Sequence, residues 1–244
     1  MQAATTRIVL ITGANKGIGF EIARQLGRAG AEALIGARSV ALGEAAAAKL
    51  KAEGVSARFI RLEVRDPETI AAAAALIEVE YGRLDVLINN AGIADRADGP
   101  PSRTSVDVVR RIFETNVIGA LAVAQTMLPL LRRSSSTRIV NVSSGLGSLA
   151  HNADPAWEFA AVKLFGYNAS KAALNMLTVQ LAAELKDSGV KVNSVDPGFT
   201  ATDLNVHRGR QTVAEGAEAA IRFALLPDEG PSGGFFSVGG REPW

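Results

Sequence analysis

Along nearly the whole chain, short runs of adjacent apolar residues alternate with longer stretches in which apolar positions recur at helical spacing. The short runs predict strands at Arg7–Thr12, Glu32–Gly36, Ala57–Val64, Leu84–Asn89, Arg138–Ser143, Lys191–Val195 and Phe235–Val238. The longer stretches predict helices at 17–29, 40–53, 67–81, 104–133, 165–187 and 211–226. Such alternation marks βαβ units, and hence a parallel sheet covered by helices on both faces. Ile8-Val9-Leu10-Ile11 and Val86-Leu87-Ile88 are apolar at consecutive positions, as burial on both faces requires. No linker, repeat or low-complexity tract interrupts the pattern, and the alanine-rich stretches at 45–48 and 71–75 read as helix packing. A single domain over residues 1–244 is expected.

Composition acts mainly by exclusion. Apolar residues make up 48% of the 244, enough for a sizeable core. Lys plus Arg is 26 against 25 Asp plus Glu, a balance that argues against a dedicated nucleic-acid binder. The absence of cysteine excludes a disulfide scaffold, a zinc–thiolate site and a catalytic thiol. Two histidines, His151 and His207, leave no multi-histidine metal site, so no metal is expected. The start, Met1 to Arg7, is short and polar, and apolar runs such as Ile70 to Ile77 fall far below the roughly 20 residues of a membrane span. The expectation is a soluble cytoplasmic protein without a membrane partner.

Candidate chemistry begins at the first strand's end, in Thr12-Gly13-Ala14-Asn15-Lys16-Gly17-Ile18-Gly19, with a helix starting at once. Glycines let the backbone turn sharply and bring N–H groups close to a ligand, and the helix N-terminus favours a phosphate. The spacing is not that of the commonest dinucleotide fingerprint, and by itself it fits either a nucleotide site or a tight strand–helix turn. The second strand's end, Gly36-Ala37-Arg38, carries no acid for a ribose 2′-hydroxyl. Arg38 and Lys16 would instead suit a 2′-phosphate, which favours NADP(H) over NAD(H).

Tyr167 and Lys171, four residues apart at the start of a helix, lie on one side of it. A nearby ammonium stabilises a phenolate and lowers its pKa, which makes a usable general acid/base. The strand before this helix ends in Ser143-Ser144, at the sheet edge where open α/β folds bind ligands. Asn116 lies on the apolar stripe of the long preceding helix, where a buried amide needs partners; a structural anchor is one reading of it.

Thr12-Gly13, Gly17-Ile18-Gly19, Asn89-Asn90-Ala91-Gly92, Asn116, Ser144, Tyr167 with Lys171, and Pro197-Gly198 occur in an order, over about residues 7–203, that resembles the short-chain dehydrogenase/reductases. The glycine turn and the tail from Gly230-Pro231-Ser232-Gly233-Gly234-Phe235-Phe236 to Trp244 are most similar to the NADPH-dependent carbonyl reductases. The resemblance implies a doubly wound (Rossmann) parallel sheet, here of seven strands, and reversible reduction of an aldehyde or ketone by NADPH. It implies that Tyr167 protonates the carbonyl oxygen and that Ser144 hydrogen-bonds it. Choosing Ser144 over Ser143 rests on the family register.

By the same resemblance Lys171 binds the nicotinamide ribose, and Asn116 holds a water that relays protons. Gly13, Asn15, Lys16 and Ile18, with Gly17 and Gly19 shaping the turn, line the pyrophosphate and adenosine ribose. Glu63 and Val64 match adenine contacts, although an Asp is more usual where Glu63 stands. Asn90, Ala91 and Gly92 line the adenosine-side ribose and brace the central sheet, while Pro197, Gly198, Thr200 and Thr202 approach the nicotinamide.

The stretch at about 145–166 is longer than in the simplest members and contains His151, Asp154, Trp157, Glu158 and Phe159. It reads either as a roof over the substrate, with Trp157 or Phe159 as an apolar wall, or as a loop pinned by those aromatics. The same stretch leaves monomer against dimer or tetramer open. Ketoacyl-thioester, steroid and polyol reductases would share all these residues. A non-catalytic NADPH-sensing regulator would be expected to lack one of Ser144, Tyr167 and Lys171.

Overall fold

The computed structural model describes residues 6–244; the first five residues of the short polar start lie outside the described residues. The apolar runs form β1 (Ile8–Thr12), β2 (Glu32–Ala37), β3 (Ala57–Arg61), β4 (Val86–Asn89), β5 (Arg138–Val142), β6 (Lys191–Val195) and β7 (Phe235–Ser237). An additional strand, β8 (Gly240–Arg241), follows. Their order in the sheet is β3-β2-β1-β4-β5-β6-β7-β8. The first seven are mutually parallel, and β8 pairs antiparallel with β7 through Phe236↔Arg241 and Ser237↔Gly240. The sheet therefore has eight strands rather than the expected seven, because Val238-Gly239-Gly240 turns the chain back, with Gly240 at a φ of 130°. β3 stops at Arg61 rather than Val64, since β2 ends at Ala37 opposite Arg61 and offers no further ladder.

The helices are α1 (Gly17–Arg28), α2 (Val40–Ala52), α3 (Pro67–Tyr81), α4 (Val106–Phe113), α5 (Ala120–Leu131), α6 (Leu149–Ala153), α7 (Phe165–Glu184) and α8 (Val213–Ala224). Local chemistry sets many of their ends. Asp66 caps α3 with Pro67 behind it, Gly82 closes it in the left-handed conformation, and Thr212 with Glu215 forms a capping box at α8. The expected single helix over 104–133 is divided by a π-helical turn, Glu114–Gly119, between α4 and α5.

Alternate strand residues feed two cores, as the unbroken apolar runs require. Val9 and Ile11 pack with α1, α2 and α8 on one face, while Ile8 and Leu10 pack with α3 and α5 on the other. The direction of winding reverses between β1 and β4, and a crevice for a ligand opens there, at the carboxyl ends of the strands.

Candidate active site

The glycine turn follows β1 at this crevice. Gly13 has a φ of +64°, and a Cβ on it would lie 3.0 Å from Ala91 Cα. A Cβ on Gly19 would meet Asn90 Nδ2 at 2.5 Å. That amide donates to the carbonyls of Thr12 and Gly13, and Thr12 Oγ1 accepts the N–H groups of Asn90 and Ala91. Asn90 and Ala91 thus stitch β4 to the turn, while Gly17, at φ +59°, faces open space except for Thr202 Cγ2 at 3.8 Å. No side chain caps the α1 N-terminus, which leaves its first N–H groups for an anion. Asn15 and Ile18 are half-buried beside it.

Arg38 is 75% exposed at the end of β2. Lys16 is exposed too, but its ammonium pairs with Asp203, which also bonds His207 Nε2 at 2.7 Å. Glu63 turns towards Arg65 at 3.4 Å and Arg38 at 3.9 Å, and Val64 is buried against Gly119. A cradle that any side chain would fill, an uncapped helix start and two cations fit a dinucleotide bearing a 2′-phosphate.

Across the crevice, Tyr167 lies half-buried in the first turn of α7. No local side chain caps this helix. Asp98, from the loop after β4, does so: its Oδ1 accepts the Gly166 N–H at 3.0 Å and its Oδ2 the Tyr167 N–H at 2.8 Å. A buried polar chain fastens the same helix to the sheet, from Asn89 to Asn141 (2.9 Å), to Thr178 (2.7 Å) and to Ser194 (2.7 Å).

The two serines after β5 are placed differently. Ser143 is buried and its hydroxyl donates to the Lys171 carbonyl at 3.4 Å. Ser144 is half-buried, accepts the Leu146 N–H at 3.2 Å and lies close enough to Tyr167 to lower its pKa. Their segment rests on α7, for a Cβ on Gly147 would lie 2.7 Å from the Lys171 carbonyl carbon. Lys171 is buried, with Nζ donating to the Val142 carbonyl at 2.8 Å and standing 5.7 Å from the Tyr167 ring centroid. Both Nζ and Asn116 Oδ1 lie 3.5 Å from the Cβ position of Gly92. Asn116, in the π-helical turn, accepts the Ile93 N–H and donates to the Ile93 carbonyl and Ser170 Oγ.

Burial pushes the Tyr167 hydroxyl up to about 12; Asp196 adds to the rise, and Ser144 opposes it. Burial likewise pushes Lys171 down to about 8, against a rise from Asp196. Desolvation and the Asp196 charge set the direction for Tyr167 here, opposite to the lowering expected from Lys171.

Pro197 and Gly198 follow β6, and Gly198, at φ +70°, packs on Gln211. Thr200 is buried with its hydroxyl donating to the Pro197 carbonyl, whereas Thr202 is half-buried beside Gly17. The 145–166 stretch folds as a 3-10 turn, Gly145–Gly147, then α6 and a chain of aromatics. His151 stacks on Trp157 at 4.8 Å, Trp157 meets Phe159 at 5.4 Å, and Phe159 meets Phe199 at 5.8 Å. His151 also bonds Glu242 of the C-terminal tail at 3.0 Å.

Asp98, Gly147 and Asp196 did not emerge from the sequence. The signal for Asp196 was a charge set between an apolar strand and Pro197-Gly198; Asp98 and Gly147 carried none. Among the described residues, no cluster of three metal-ligating side chains occurs and no helix is long and apolar enough to cross a membrane.

A model of the short chain dehydrogenases matches residues 7–212. A short-chain dehydrogenase of Penicillium roqueforti, anuI, is 40% identical over 230 residues, covering 92% of this chain and 90% of its own. Carbonyl reductase [NADPH] 3 of Mus musculus is 35% identical, covering 93% and 94%. The crystal structure of NADPH-bound carbonyl reductase from chicken fatty liver superposes with a TM-score of 0.84 at 30% identity, covering 99% of this chain and all of that one.

Proposed function

The chain belongs to the short-chain dehydrogenase family, and from that premise we propose that it reduces an aldehyde or ketone with NADPH, Tyr167 supplying the proton. It is an NADP(H)-using oxidoreductase of the class acting on CH–OH and carbonyl groups. The observation that carries the finer reading is the Tyr167 hydroxyl, beside Ser144 and one helical turn from Lys171, across the crevice from the glycine turn.

Bound along the glycine turn, NADPH would supply the hydride. Gly13, Asn15, Gly17, Ile18 and Gly19 would hold its diphosphate, and Arg38 its 2′-phosphate, joined by Lys16 once released from Asp203. Gly92 leaves room for a ribose beside Lys171, and Thr202 is the accessible threonine near the turn. The Ser144 and Tyr167 hydroxyls would donate to the carbonyl oxygen, where reduction builds negative charge. Tyr167, with a pKa near 12, keeps its proton at neutral pH until the oxygen becomes basic enough to take it. Asn116 fixes Ile93 and Ser170 behind this pair.

The direct test is oxidation of NADPH and NADH against ketones, aldehydes, ketoacyl thioesters, steroid ketones and polyols. NADPH oxidation with simple carbonyls supports the reading; turnover confined to thioesters, steroids or polyols replaces it. NADPH binding without any turnover points to a sensor.

Two further results are expected. Arg38→Asp should lower the NADPH-over-NADH preference in kcat/KM by about 10- to 100-fold, the worth of a charged hydrogen-bond pair to phosphate. Because Lys171 loses its charge as pH rises through about 8, kcat/KM for reduction should fall above that pH. Lys171→Arg, charged throughout, should move this limb upward; an unmoved limb would assign it to another group.

A further inference from the structure

Asp196 follows β6, immediately before Pro197-Gly198, and none of the steps above uses it. Its Oδ1 accepts the Gly198 N–H at 3.0 Å, and the backbone of Gly145 beside the carboxylate also lowers its pKa. Oδ2 stands 3.0 Å from the point where a Cβ on Gly145 would lie, and Trp157 Cζ2 stands 3.3 Å from the same point. Gly145 follows Ser144. A carboxylate and the edge of an indole therefore flank the backbone next to the hydroxyl proposed to meet the carbonyl oxygen. From Trp157 the aromatic surface runs through Phe159 to Phe199, itself 37% exposed and on the same loop as Asp196.

The charges facing Asp196 come from three directions. α7 presents Tyr167 and Lys171, whose ammonium is committed to the Val142 carbonyl. α6 presents His151 and the C-terminal tail presents Glu242, and these two bond each other. The carboxylate is thus held by the Gly198 N–H and, among the described residues, has no ion-pair partner of its own. Burial raises the pKa of Asp196 itself, a rise that a cation seated against it would oppose, and its charge in turn raises the pKa of both Tyr167 and Lys171.

Covering such a carboxylate with a neutral substrate removes water and puts nothing in its place, which costs free energy. A substrate carrying an ammonium group replaces that water with an ion pair, and an alkylammonium also packs favourably on aromatic surface. We propose that Asp196 determines specificity at this site, and that the preferred substrates are ketones bearing a protonated amine close to the carbonyl. This rests on the reading that the carbonyl lies against Ser144 and Tyr167.

The test uses the enzyme with NADPH and two ketones of one shape: β-dimethylaminopropiophenone, cationic at neutral pH, and its carbon isostere isohexanophenone. The expected kcat/KM ratio favours the amine by about tenfold or more, and in Asp196→Asn the ratio falls by about tenfold, whatever the absolute rates do. A wild-type ratio near unity, or a ratio that Asp196→Asn leaves unmoved, overturns the proposal while ketone reduction stands. Calorimetric titration of benzyltrimethylammonium into the enzyme–NADPH complex gives a readout without turnover, with Kd expected to weaken about tenfold in Asp196→Asn. If neither ketone is reduced but this cation binds through Asp196, the reductase reading falls and the cation subsite stands. Equal binding to both proteins overturns the subsite.

Discussion

Tyr167→Phe is expected to lower kcat for ketone reduction by about 10²- to 10⁴-fold, the usual range for loss of a positioned general acid. The ring remains, so the first turn of α7, held by Asp98 at the Gly166 and Tyr167 N–H groups, should be undisturbed. NADPH should still quench tryptophan emission, and Tm should stay close to that of the unaltered protein. The pairing of lost turnover with retained binding is what distinguishes a missing proton from a damaged fold. If the variant turns over ketones at the unaltered rate, the proton comes from elsewhere and Ser144 becomes the first suspect.

Gly147→Ala should have an effect of comparable size by a different route. A methyl group there would lie 2.7 Å from both the carbonyl carbon and the Cβ of Lys171, and 3.0 Å from the Ala172 nitrogen. Two of those three atoms are helix backbone and cannot swing aside, so the segment carrying Ser144 must lift off α7. Overpacking of this kind costs about 1–3 kcal/mol, which in a chain of this length is a fall in Tm of roughly 2–12 °C. Moving Ser144 relative to Tyr167 by an ångström should lower kcat about 100-fold. Gly99→Ala is the control, because a Cβ at Gly99 meets only Thr104 Oγ1 at 3.9 Å. Equal behaviour of the two variants in a thermal melt and in turnover would mean that the loop after β5 does not rest on α7.

The contrast between these two residues shows what could be read in advance. Tyr167 is legible because phenol and ammonium side chains four apart on a helix share a side whatever surrounds them. Gly147 is not, because nothing near it in sequence says that its α-carbon will touch Lys171. The same division runs through the nucleotide cradle. The glycine turn and the charges of Lys16 and Arg38 are local facts, whereas the ion pair of Lys16 with Asp203 joins residues 187 apart.

Apolar periodicity placed the seven parallel strands and most of the helices, because each residue's burial follows from the repeat of its own element and that repeat is written locally. The motifs, in their order, placed the chain in its family and named the hydroxyl, phenol and ammonium groups that its chemistry would use. The structure alone decided matters that depend on distance through space. It supplied the hairpin strand β8 and the π-helical turn around Asn116, and it separated Ser143, turned inward to the Lys171 carbonyl, from Ser144 at the crevice. It also brought Asp98 across 69 residues to hold the Tyr167 N–H and set Asp196 beside the reacting groups. The pKa of Tyr167 belongs with these: desolvation and a carboxylate from the loop after β6 raise it, and no spacing along the chain encodes the depth at which a side chain is buried.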